Sequence, residues 1–117
     1  MFSYSGGMEK RQSWKKELRA LSRRLGALGM VTHGTVQDRG HGPGGPVYQW
    51  TRKEKGKTVS VALSREQYEA MKAASENWKA AKAILREMEI LSRREIFQNL
   101  PGVNRRNPLP DKTLGLI

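Results

Sequence analysis

Cysteine is absent from the 117 residues, which excludes disulfides, thiolate zinc sites and cysteine nucleophiles. Long apolar runs are missing too, since no stretch approaches the roughly 18 residues a membrane-spanning helix needs. Acidic side chains are scarce. Eleven Asp and Glu stand against 22 Lys and Arg, leaving a formal net charge of +11 and a pI near 10.5. Apolar residues make up 37% and aromatics 7%; that is low for a filled globule, yet above the level at which a chain cannot collapse. Met1–Met8 has no basic start leading into an apolar core, so no secretory leader is expected. The length suits one domain and is short for two. These bounds disfavour most enzyme classes and point to a cytoplasmic binding protein with an anionic partner.

The positive charge is uneven. Residues 1–63 hold 12 Lys and Arg against four Asp and Glu, whereas residues 64–117 hold 10 against seven. Such a field concentrates polyanions near the N-terminal half and speeds encounter. Solubility alone calls for a net charge of only about 2–8.

Glu9–Gly29 has the periodicity of an amphipathic helix. Trp14, Leu18, Leu21, Leu25 and Leu28 recur at spacings of 4, 3, 4 and 3, a narrow stripe suited to packing on another long helix. Lys15, Lys16, Arg19 and Arg23 fall on the opposite face. Gly29 is placed to cap the helix.

Residues 30–37 alternate and are partly β-branched, which predicts a first strand. Asp38–Pro46 then holds four Gly and two Pro in nine residues, so no regular element persists there. Residues 47–53 and 57–63 read as two more strands around a Glu54–Gly56 turn. Val59, Val61 and Leu63 face one way, Thr58, Ser60 and Ala62 the other, the mark of a sheet with one buried and one wet face. Tyr48, Trp50 and Arg52 share one side of their strand, and Val47, Gln49 and Thr51 share the other.

At Ser64 the period changes to 3.6. Ser64 and Gln67 fit a capping box, and a helix over 65–99 follows, ended by Pro101. Its stripe runs Ala70, Met71, Ala74, Trp78, Ala81, Ile84, Leu85, Met88 and Leu91. The Ala-rich first half implies a closely packed neighbour. Asn77 lies in the stripe, where it either fixes register or points to water at the margin. Glu89 and Arg93 form a favourable i,i+4 pair.

The expected fold is therefore α+β: a flexible N-terminus over 1–8, then one domain over 9–99, then a flexible tail over 100–117. The domain comprises helix 9–29, a three-stranded antiparallel meander and a long helix pairing antiparallel with the first. Apolar residues at the far end of that long helix favour a homodimer.

Gly34-Thr35-Val36, Gly40-His41-Gly42-Pro43, the strand Val47–Lys53, Gly56-Lys57-Thr58-Val59 and a long helix containing Asn77 follow in one order. Over about residues 12–92 this resembles a family of small bacterial proteins of unknown function, often found near transposons and other mobile elements. The resemblance implies this fold and that setting, and it implies no reaction. The family's cysteine cluster is replaced here by Gln37-Asp38-Arg39, so no metal or redox role carries over.

No catalytic set is evident. His33, His41 and Asp38 fall short of the four ligands that zinc usually takes. There is no nucleophile elbow, and Gly56-Lys57-Thr58 is too short for a phosphate loop. No enzyme activity, metal or cofactor is expected. The candidate contacts are instead cationic: Lys15, Lys16, Arg19, Arg23 and Arg24 on the first helix, and Arg39, His41, Arg52, Lys53, Lys55 and Lys57 on the strands and loops. The expected partner is DNA or RNA, held through backbone phosphates. Tyr48 and Trp50 either bury against the helices, the preferred reading for Trp50, or stack on a base. The competing reading is a helical-hairpin adaptor for a mobile-element protein or a second copy of the chain, with no nucleic acid and no membrane involved.

Overall fold

The computed structural model describes residues 5–40, 44, 47–103 and 109–117. Its elements follow the order helix α1 (Ser5–Gly26), strands β1 (Thr35–Asp38), β2 (Tyr48–Glu54) and β3 (Lys57–Leu63), helix α2 (Arg65–Asn99) and the short helix α3 (Asp111–Leu114). The α+β class, the antiparallel meander and the long helix are as expected. The contacts group into two compact units: Leu28–Lys82, and Met1–Ala27 with Ala83–Ile117. The continuous α2 contributes to both.

In the Leu28–Lys82 unit the sheet order is β1-β2-β3, all antiparallel. Trp50 lies opposite Val36 and Val61, so these three side chains share a face. That face is turned toward α2. Tyr48 stacks on Tyr68 with ring centroids 4.6 Å apart, and Trp50, Val61 and Leu63 line an apolar cavity of about 420 Å³ with Ala70, Met71 and Ala74. The capping box forms as a reciprocal pair: Gln67 N–H donates to Ser64 Oγ at 3.1 Å and Ser64 N–H to Gln67 Oε1 at 3.0 Å. This fixes where the helix starts relative to the end of β3.

The expected strand over 30–37 is corrected: only Thr35–Asp38 joins the sheet. Residues 28–34 instead form a strap on the small-residue face of α2. Asn77 Nδ2 donates to the carbonyls of Leu28 (2.6 Å) and Met30 (2.9 Å), Thr32 N–H donates to Ala74 O (3.2 Å), and Ser75 Oγ donates to Gly34 O (2.9 Å). Buried Ala74 and Ser75 allow the backbone this close. The neighbour implied by the Ala-rich stretch is this strap, and Asn77 anchors it. Gly34 has φ +117°, and a Cβ there would collide with the Trp50 indole nitrogen and lie 2.9 Å from the Thr51 carbonyl. No other residue fits.

In the other unit, α1 starts at Ser5, ahead of the expected Glu9, and ends at Gly26, short of Gly29. Buried Leu21 and Ile84 form the core. Glu17, Ala20 and Leu21 of α1 line one groove with Glu87, Ile90, Leu91 and Arg94 of α2, and Arg24 pairs with Glu87 at 3.4 Å. This is the antiparallel helical pair. The expected tail departs from plain coil at its end. Asp111–Leu114 makes one helical turn, Leu116 is only 3% exposed, and Arg93 Nη1 donates to the Gly115 carbonyl at 3.2 Å. One buried leucine and one arginine are enough to seat it, and neither produces a periodic signal.

Candidate nucleic-acid interface

Ten of the eleven candidate cations lie among the described residues; His41 falls outside them. They form two sets, one in each unit. On α1, Lys15, Lys16, Arg19 and Arg23 are exposed, within an arc of about 100° on the side away from the leucine stripe. The Lys15 ammonium also lies 5.7 Å from the Trp14 ring centroid. Arg24 sits outside this arc, on the flank that pairs with Glu87.

The second set is built by the β2–β3 hairpin. Glu54 lies opposite Lys57, so Lys55 and Gly56 are a two-residue turn. Their φ values are +48° and +81°, the pattern of a type I′ turn, which matches the twist of the flanking strands. Gly accepts this conformation freely. Lys does not, because its Cβ crowds the following carbonyl in the left-handed region. Lys53, Lys55 and Lys57 are all exposed around this tip. Arg39 extends from the end of β1: its N–H donates to Val47 O at 2.7 Å, and its guanidinium donates to Gln49 Oε1 at 3.4 Å.

Arg52 is engaged differently. Its guanidinium carbon lies 4.7 Å from the Trp50 ring centroid and its Nε donates to Glu54 at 3.1 Å. It therefore covers the indole. Trp50 itself is half-buried and donates its Nε1–H to the His33 carbonyl at 3.0 Å, so it belongs to the packing against the helix. His33 sits 6.3 Å from the Trp78 ring, centroid to centroid.

The described residues contain three ion pairs, Arg24–Glu87, Arg52–Glu54 and Arg93–Glu89. Among those residues, Lys15, Lys16, Arg19, Arg23, Arg39, Lys53, Lys55 and Lys57 have no carboxylate within 4 Å. Among the described residues, the acidic groups of α2 form no ion pair with these eight cations. No three His, Asp or Glu side chains among the described residues gather as they would around a metal.

Register adds a surface that charge counting passes over. The sheet face directed away from α2 presents Gln37–Gln49–Ala62, Thr35–Thr51–Ser60 and Lys53–Thr58 in cross-strand rows. Thr51 and Ser60 share a hydroxyl hydrogen bond at 3.3 Å. Asp38 and Glu54 lie on the opposite face by alternation, so this one carries no carboxylate. The alternation legible in Gln49, Thr51, Thr58 and Ser60 was the signal for it. No protein-family model matches the chain, and neither a curated protein nor a solved structure does.

Proposed function

We propose that this chain is a small basic nucleic-acid-binding module. It grips backbone phosphates through the hairpin tip (Lys53, Lys55, Lys57) with Arg39, and through the α1 face bearing Lys15, Lys16, Arg19 and Arg23. The observation that carries this reading is the eight exposed cations that have no carboxylate partner among the described residues, gathered in two sets. Clustered like charges repel, and polyanion binding relieves that repulsion while releasing counterions. Arg24 and Arg52 have smaller parts, since Glu87 and Glu54 already partner them. His41 is proposed as a further loop contact. The mobile-element setting implied by the sequence resemblance accompanies this reading.

The test is anisotropy with a fluorescent ~20-base-pair duplex and a single strand at ~50 mM salt, comparing the wild type with the triple reversal K53E/K55E/K57E. The wild type binds, and the reversal weakens binding at least 100-fold, as the loss of three phosphate contacts requires. Equal affinity for wild type and reversal contradicts the role of the tip.

A second reading is helix-mediated association with a second copy or with a mobile-element protein. Exposed Ile96, Phe97, Leu100 and Val103 at the end of α2 and just beyond it favour this. Sedimentation at micromolar concentration tests it, and a monomer there removes the homodimer.

A further inference from the structure

We propose that the carboxylate-free face of the sheet reads base edges in the major groove of B-form DNA, with Gln49 and Thr51 of the central strand as the specificity-determining residues. This rests on the nucleic-acid reading above and goes further, because phosphate contacts fix register but carry no sequence information.

Three features carry the inference. The first is composition. An ordinary solvent face mixes Lys and Glu, whereas the strand residues of this one offer amides and hydroxyls with Lys53 as their one formal charge, and the Arg39 guanidinium reaches in from the end of β1. Amides and hydroxyls are the groups that pair with base edges: Gln spans adenine N6 and N7, and Ser or Thr serve several bases. The second is size. Two interstrand spacings separate β1 from β3 by about 10 Å, comparable to a major groove about 12 Å wide. The seven residues of β2 extend about 23 Å along it. The third is placement of charge. Arg39 continues from β1, while Lys53, Lys55 and Lys57 surround the opposite end of the hairpin, so cations bracket the polar centre at both ends of the strands. Arg39 also donates to Gln49 Oε1. That orients the amide and leaves its NH2 group and one oxygen lone pair for a base.

A-form RNA has a deep, narrow major groove that excludes such a face, so the inference commits to DNA. The experiment selects bound sequences from a random ~20-base-pair DNA duplex pool with the full chain. Pool affinity and selected-sequence affinity are then measured for the wild type, Q49E and the double variant Q49A/T51A. The wild type enriches one sequence. Q49A/T51A keeps its affinity for the unselected pool but loses roughly 10-fold or more of its preference for the selected sequence. Q49E, matched in size, shifts one position of that sequence from adenine toward cytosine, whose amino group suits a carboxylate. Changed specificity is a result that a misfolded variant cannot give. Pool binding with no enriched sequence, or with the same sequence enriched by all three proteins, overturns this inference and leaves backbone gripping intact. Equal preference for an RNA duplex of the selected sequence also overturns it. No binding to any of these probes overturns the inference and the proposed function together.

Discussion

Replacing Lys55 by Asn separates the stability of the hairpin from its use. Lys55 sits at φ +48° and is followed by Gly56 at φ +81°. The left-handed region costs an ordinary L-residue about 1–2 kcal/mol, and Asn recovers part of this through its short, locally hydrogen-bonding side chain. Asn-Gly is the strongest sequence for a type I′ turn. Lys55→Asn is therefore expected to stabilise the protein by about 0.5–1 kcal/mol. For a chain of this size that raises the melting temperature by about 2–5 °C, read by circular dichroism. The same change removes one cation from the tip. The salt slope of duplex binding then falls in magnitude by about 0.9, and affinity at ~50 mM salt drops about tenfold. A melting temperature that is unchanged or lower refutes the backbone strain. A higher melting temperature with unaltered binding refutes Lys55 as a phosphate contact.

Three further outcomes concern the scaffold. Gly34→Ala destabilises by about 2–4 kcal/mol, because the added methyl meets the Trp50 indole at a φ of +117°; chemical denaturation measures it, and a cost below 0.5 kcal/mol contradicts the strap geometry. Asn77→Ala costs about 1–3 kcal/mol by orphaning the Leu28 and Met30 carbonyls. Asn77→Asp costs more than Asn77→Ala, since it sets an acceptor against two carbonyls; the reverse order in denaturation midpoints tells against the anchor. Leu116→Ala frees residues 109–117, seen as faster amide exchange at Gly115 and Leu116, while the exchange of β2 and β3 stays unchanged.

The elements that could be read from the sequence were those whose cause is local. Alternation in Thr58–Leu63 and the capping box at Ser64–Gln67 act over a few residues, and β3 and α2 fall at their expected bounds. The strap over 28–34 was hidden because its bonds run to side chains and carbonyls of α2 more than 40 positions away, while its own residues have β-like patterning. α3 was hidden for the same reason: Leu116 gains its burial from the fold and not from periodicity. At the candidate site, composition located the cations but left open which ones a neighbour engages. Arg52 lies on Trp50, and Arg24 on Glu87. The polar rows across Gln49 and Thr51 needed the register of all three strands before they stood out.

The salt dependence of duplex DNA binding probes the uncancelled cations most directly. Four contacts from the sheet, the three lysines at the hairpin tip and Arg39 at the other end of the strands, give a slope of log K against log salt of about −3.6, and full engagement of the α1 face steepens it to about −7. A slope within that span, shallower in K53E/K55E/K57E, is the predicted result. A slope near zero, or no binding at ~50 mM salt, contradicts it.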